Sequence, residues 1–137
     1  MSDPLELYRQ LLAAMRGGDP DADKLFHPDF VAYEDPGMPY GGVVKGGSAF
    51  LTLRAKVYGL WGPKPLQLLY VCGDGDGGHH ASAHFKLLGH PNGQEQTVEG
   101  YVIVSWTFED GLAREARVFY FDTPGLSHAL ASASKVE

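Results

Sequence analysis

The strongest constraint on what this chain can fold into lies in its second half, where four runs rich in β-branched and aromatic residues follow one another closely. PLQLLYVC (65–72), HHASAHFKLL (79–88), QTVEGYVIVSWTFE (96–109) and LAREARVFYFD (112–122) are separated by GDGDGG, by GHPNG and by the tight turn Glu109, Asp110, Gly111. Each gap is short enough for a hairpin, so the four strands are expected to form an antiparallel meander. Within the third run Val102, Val104 and Trp106 share one face, opposite Tyr101, Ile103 and Ser105. In the fourth, Ala116, Val118 and Tyr120 oppose Glu115, Arg117, Phe119 and Phe121. Neither face is cleanly polar, which predicts burial on both: one against helices, the other against a second copy of the chain.

Helices come first. Asp3, Pro4 and Glu6 read as an N-cap, a first-turn proline and a capping-box partner. Leu5, Tyr8, Leu12 and Met15, flanked by Leu11, then give an amphipathic stripe that stops at Gly17 and Gly18. Asp19 and Pro20 start a short helical turn through Leu25 and Phe26, and PDFVAYED follows as a strand of about five residues. A third helix, capped by Gly47 or Ser48, is predicted from about residue 49 to 58 or 61, with Phe50, Leu53, Val57 and Trp61 in one stripe, closed by GPKP. The order of helices before sheet is that of an α+β fold with helices covering one face.

Between these halves lies YEDPGMPYGGVVKGG (33–47), which carries Glu34 and Asp35 to the end of a strand and then turns sharply. Pro36 forces Asp35 into an extended backbone and cannot itself join a ladder, so strand pairing is expected to stop there. Asp35 is then either a general acid or base at a cavity or an ordinary turn residue. Tyr33 shares its parity; Glu34, of opposite parity, is expected to face solvent or a lysine.

Length and composition bound the function classes. One domain spanning 1–137 is expected, with a core of about 5–126 and a C-terminal tail at 127–137 that ends frayed in SASKVE. A formal net charge of -6 argues against nucleic acid or an anionic membrane as the main partner. The single cysteine, Cys72, permits no internal disulfide and is read as a small buried hydrophobe. No apolar run approaches the roughly 20 residues of a membrane span, and no leader-like segment opens the chain, so the cytosol is the expected address.

The succession of a capped helix, a short Gly-Asp-initiated turn, FVAYEDP, a Gly-rich turn into GGSAF and a meander ending SWTFEDGLAREARVFYFD resembles the nuclear transport factor 2-like superfamily. Within it the chain is most similar to the SnoaL-like proteins, whose members include polyketide cyclases, and to the ketosteroid isomerase relatives, over about residues 5–126. The resemblance implies a cone-shaped α+β barrel of three N-terminal helices packed on a curved antiparallel sheet. It also implies a pocket between the two layers and a homodimer through the outer sheet face. Carried over by its EDP segment, it makes Asp35 the general base. The isomerase pairs that base with a tyrosine and a protonated aspartate; those positions fall here on Leu11 and near Val104, so steroid enolisation by that route is not expected.

The implied ligand is a hydrophobic, carbonyl-bearing small molecule, turned over with neither cofactor nor metal. Asp35 would act as base, with His84 or Tyr120 as donor. The pocket wall is assigned to Tyr8 and Leu12 of the first helix, Tyr33, Phe50, Val57 and Trp61 of the third helix, and Val102, Val104, Trp106, Ala116 and Val118 of the sheet. His84 can instead be a strand histidine paired with a neighbour or facing a dimer partner, and the aromatic residues can simply pack a core. Glu115 and Arg117 alternate on one face, as a carboxylate clamp or an ion pair at the dimer surface. GDGDGG is read as a flexible hairpin turn; it lacks the glutamate a calcium loop needs, since Phe85 stands there. His79 and His80 point to opposite faces, which disfavours a joint metal site with Asp74 and Asp76. The alternative to an enzyme is a non-catalytic ligand-binding or dimeric scaffold protein of the same fold.

Overall fold

A computed structural model describes residues 3–134 of the chain. Helix α1 spans Pro4–Arg16, with the Asp3 carboxylate accepting the Leu5 N–H at 3.0 Å as the N-cap. Tyr8, Leu11 and Met15 are its buried stripe, and Leu12 is half-buried beside them. A 3-10 turn at Ala22–Leu25 leads into strand β1, Phe26–Glu34, which is longer than expected from the sequence. β1 turns back through Asp35–Gly41 contacts and pairs antiparallel with a short strand, β2, Gly42–Lys45, that the sequence reading placed inside the turn. The turn needs glycine at position 41, where a Cβ would stand 2.1 Å from the Asp35 carbonyl oxygen.

Helix α2 spans Gly47–Trp61 and ends by laying Trp61 on the sheet. Strands β3 (Leu66–Gly73), β4 (His80–Gly89), β5 (Val98–Glu109) and β6 (Leu112–Tyr120) then form the expected antiparallel meander. The β5–β6 hairpin turns on Asp110 and Gly111, both at positive φ, as an Asp-Gly hairpin does. Gly89 lets Trp61 approach, since a Cβ there would stand 2.6 Å from the indole ring.

The six strands are ordered β2-β1-β6-β5-β4-β3 in one sheet that does not close on itself. β1 lies parallel to β6, so the sheet is mixed rather than wholly antiparallel. Register shifts in β1, β3 and β5 mark the places where it bends. Its concave face carries Ala81, Ala83, Phe85 and Leu87 of β4, Val102, Trp106 and Phe108 of β5, and Ala116 of β6, all buried against the helices.

The helices are not all N-terminal. The expected tail from 127 onward is instead helix α3, Thr123–Ser134, whose Leu126 and Leu130 are buried in the core. Residues 135–137, the end of the predicted frayed tail, lie outside the described residues. The outer sheet face leaves Tyr70, Tyr101, Ile103 and Phe119 exposed, continued by Phe121 just beyond β6. Cys72, expected to be buried, is exposed, because it lies near the end of the edge strand β3. No helix is long and apolar enough to cross a membrane among the described residues.

Candidate functional site

A cavity of about 90 Å³ lies between α1, α2 and the concave face of the sheet. Its walls are formed by Tyr8, Leu12, Phe50, Val57 and Trp61 from the helices and by Val102, Val104, Trp106, Val118 and Tyr120 from the sheet, all positions assigned to a pocket from sequence. Two assigned wall residues are elsewhere. Ala116 is on the same face but wholly packed. Tyr33 is on the outer face, where the Arg117 guanidinium sits 4.1 Å from its ring centre and Arg117 also pairs with Glu115 at 3.0 Å.

The acid at this cavity is Glu34, not Asp35. Phe30 and Ala32 are buried in the core, and strand alternation carries the same inward direction two residues further, to Glu34. Only 7% of Glu34 is exposed, and it lines the cavity; the expectation that it faces solvent or a lysine is overturned by this parity. Asp35 has already left the strand. One carboxylate oxygen accepts the Gly37 N–H at 2.9 Å within the turn and the other accepts the Thr123 hydroxyl at 2.6 Å at the start of α3. It therefore ties the turn to α3 and is not part of the cavity wall.

The Tyr120 hydroxyl neighbours Glu34 and favours its ionised form, and the Glu34 Oε1 accepts the Asp35 N–H at 3.3 Å. Behind it, the hydroxyls of Tyr120 and Tyr40 are 2.9 Å apart, and the Trp61 indole N–H donates to Tyr40 at 3.0 Å. An indole N–H can only donate. With Tyr40 accepting from Trp61, its own proton is available to Tyr120, and that of Tyr120 to the Glu34 carboxylate. Burial pushes the Glu34 carboxyl up to about 7, against the lowering effect of the Tyr120 hydroxyl and the Asp35 N–H. Burial also pushes the Tyr40 phenol up to about 12 and Tyr120 higher still, with the nearby Glu34 charge adding to the latter. Glu34 is thus the member of this group that changes charge near neutral pH.

At the α1–α2 side the cavity is lined by Arg16, Arg54 and Tyr58. Arg54 donates to the Met15 carbonyl at 3.4 Å and to the Tyr58 hydroxyl at 3.2 Å, and its guanidinium lies 4.5 Å from the Tyr58 ring centre. Tyr8 is raised by burial, with Arg16 the leading opposing influence. The Trp106 indole N–H is buried without a partner among the described residues, ringed by Phe26, Phe30, Phe50 and Phe108.

His84, a predicted donor, belongs to the opposite face of β4. Its ring stacks on Tyr70 at 4.2 Å and its Nε2 is 2.9 Å from the Ser82 hydroxyl, so it does not meet Glu34 or Tyr120. The GDGDGG turn is fastened by Asp74, which accepts the N–H groups of His79 and His80 and lies 2.8 Å from the His80 ring; these bonds hold its carboxyl down to about 2. Among the described residues, His27, Glu109 and Asp110 form the one group with metal-ligating spacing, and none of them lines the cavity. Glu109 there is already paired with Arg114, and the His27 Nδ1 accepts the Asp29 N–H. The two positions that would supply oxyanion donors by analogy with the isomerase, Leu11 and Val104, are apolar in fact as in sequence, Leu11 buried and Val104 on the cavity wall.

No family model matches the chain, and no curated protein matches it significantly. Solved structures do. A nuclear transport factor 2-like protein from Burkholderia thailandensis E264 superposes with a TM-score of 0.79 at 20% identity, covering 95% of this chain and 98% of that one. TerC, co-crystallised with polyporic acid, gives 0.72 at 21% identity over 95% and 99% of the two chains. A protein named as a SnoaL-like polyketide cyclase, from Jannaschia sp. CCS1, gives 0.73 at 17% identity over 96% of each. At such identities the shared property is architecture, and the chain has the nuclear transport factor 2-like fold, in a form that SnoaL-type proteins share.

Proposed function

We propose that the chain is a SnoaL-like small-molecule enzyme that performs cofactor-independent general acid–base chemistry on a hydrophobic, carbonyl-bearing ligand, with Glu34 as the group that takes up and returns the proton. One observation carries this reading: a single buried carboxyl on the wall of a largely apolar cavity, poised to change charge at about pH 7. A base with that proton affinity can accept a proton from a carbon beside a carbonyl, or from water, and remain available at neutral pH. The neighbouring Tyr120 hydroxyl favours the ionised form of the carboxylate. The outcome would be isomerisation, cyclisation or hydrolysis, depending on the ligand. The fold likeness to a protein named as a SnoaL-like polyketide cyclase and to TerC, the latter co-crystallised with polyporic acid, supports a small-molecule ligand.

Ligand size follows from the volume. About 90 Å³ is well below the roughly 300–1,000 Å³ of a cleft that encloses a drug-sized molecule, so a single ring is the natural occupant and anything larger needs α1 and α2 to part. The same small volume favours a second reading, a non-catalytic ligand-binding or scaffold protein. In either case the exposed Tyr101, Ile103, Phe119 and Phe121 are proposed as a homodimer surface, and the cytosol, where the lone exposed Cys72 stays reduced, as the compartment.

The deciding experiment is a thermal-shift screen of small lipophilic carbonyl compounds, followed by turnover assays of hits with the native protein and Glu34→Gln. Loss of turnover with retained binding is expected for the variant. Undiminished turnover rejects Glu34 as the base, and hits that bind but are never turned over favour the non-catalytic reading.

A further inference from the structure

The cavity has two polar regions, and the proposed chemistry uses only one. The second is formed where α1 meets α2. Arg16 closes the last turn of α1, Arg54 faces it from α2, and both line the cavity together with the hydroxyl-bearing Tyr8 and Tyr58. Arg54 is not a freely swinging side chain: the Met15 carbonyl, the Tyr58 hydroxyl and the Tyr58 ring hold it in place. A guanidinium offers five N–H donors, and these neighbours engage only part of that set.

Charge pairing makes the arrangement more telling. The chain has 17 acidic side chains against 11 lysines and arginines, so cations have many available partners. Yet among the described residues neither Arg16 nor Arg54 has a carboxylate within ion-pair distance, whereas Arg114 and Arg117 both do. One cation held on the cavity wall, Arg54, and a second exposed at its edge, Arg16, neither with a counter-charge, are a site for an anion that arrives from outside. Their positive field would also favour an anionic ligand in this part of the cavity.

We propose that the ligand of this cavity is a small aromatic or alicyclic compound carrying an anionic oxygen, a carboxylate or an enolate, which Arg16 and Arg54 hold at the α1–α2 side while the apolar ring lies toward Glu34. The inference rests on the reading of the cavity as a ligand site and adds the charge of the molecule it selects. It also gives the arginines a role in specificity: a neutral analogue of the same shape fills the same space and leaves both cations unpaired.

Benzoate and benzamide form a suitable pair of probes, being nearly equal in size and differing in charge. NMR titration at pH 6, below the midpoint of Glu34, with shifts read at Val57, Val102 and Val118, measures both. The native protein is expected to bind benzoate at least about tenfold more tightly than benzamide, the range of a hydrogen bond to a charged group. Arg16→Met, which removes an exposed side chain, and Arg54→Lys, which keeps the charge but not the fork, should each erode that preference, and the double replacement Arg16→Met with Arg54→Met should abolish it while benzamide affinity stays within about twofold. Equal binding of the two probes, or a benzoate preference that survives the double replacement, overturns the inference and leaves the cavity reading intact. No shift at the cavity residues with either probe overturns both. Glu34→Gln is expected to retain benzoate binding, so loss of turnover in that variant remains a separate result.

Discussion

Tyr40 and Tyr120 hold their hydroxyl oxygens 2.9 Å apart although 80 residues separate them in the chain. The contact joins the turn after β1 to the end of β6, and it exists only because β1 and β6 run parallel side by side. Trp61 supplies the far end of this line of donors and Glu34 the near end. The result is a carboxyl that is buried yet fed by hydrogen bonds, the combination that leaves it neither fully ionised nor fully neutral near pH 7.

That balance makes a prediction for stability. The folded Glu34 holds its proton up to about pH 7, while the unfolded chain releases it near the ordinary glutamate value of 4.5. Between those limits the folded state binds more protons, so stability contributed by the protonated group is fully present below about 4.5 and is lost as pH rises through 7. The size is on the order of 3 kcal/mol. Urea unfolding of the native protein and Glu34→Gln from pH 4 to 8 should show the difference between the two falling over that window. A difference curve that is flat would mean Glu34 is not buried as described.

Tyr120→Phe tests the partner. Removing the hydroxyl deletes a donor beside the carboxylate that lowers its proton affinity, so the Glu34 midpoint should rise, by about one unit if that donor acts as a charged hydrogen bond. Carboxyl-detected NMR titration reads this directly, and any pH–rate profile limited by Glu34 as base should shift upward with it. An unmoved midpoint would show that burial alone sets the proton affinity.

Much of this arrangement was readable from the chain, and the failures have identifiable causes. The meander follows from short gaps between β-rich runs, and nine of the eleven assigned wall residues line the cavity together with Tyr120, the helical ones through the apolar stripes of α1 and α2 and the others through alternation in β5 and β6. Parity in β1 pointed the same way: Phe30, Ala32 and Glu34 alternate, and a buried Phe30 forces Glu34 inward. The EDP context points instead to Asp35, which Pro36 has already turned out of the strand. Helix α3, expected to be a tail, also has a signal in the chain that the expectation misses: Asp122, Thr123 and Pro124 open it and Leu126 and Leu130 fall one turn apart. The parallel β1–β6 pairing was not, because no local pattern states which non-adjacent strands meet. Nor was the position of Arg54, which depends on how α2 faces α1.

Dimerisation gives a further test. Tyr101, Ile103, Phe119 and Phe121 form an exposed apolar group on the outer sheet face, where Ile103 and Phe119 stand directly opposite each other in the β5–β6 ladder. Light scattering at micromolar concentration should report twice the chain mass, and Phe119→Glu should halve it without changing the fold seen by circular dichroism. A native protein that runs as a monomer removes this face from the assembly.

The sharpest test of the site sets the two neighbouring acids against each other. Asp35 accepts the Thr123 hydroxyl at 2.6 Å and the Gly37 N–H at 2.9 Å, both structural bonds outside the cavity. Asp35→Asn should therefore leave turnover within a few-fold of the native rate while lowering stability by roughly 1–2 kcal/mol. Thr123→Val should cost a similar amount. In the double variant the two losses should be less than additive, since both remove the same bond. Glu34→Gln should show the reverse pattern, with turnover lost and stability maintained or raised at pH 8, where the native carboxylate is buried and charged. Loss of turnover in Asp35→Asn with a normally folded protein would return the base to position 35 and require the turn to open toward the cavity during the reaction.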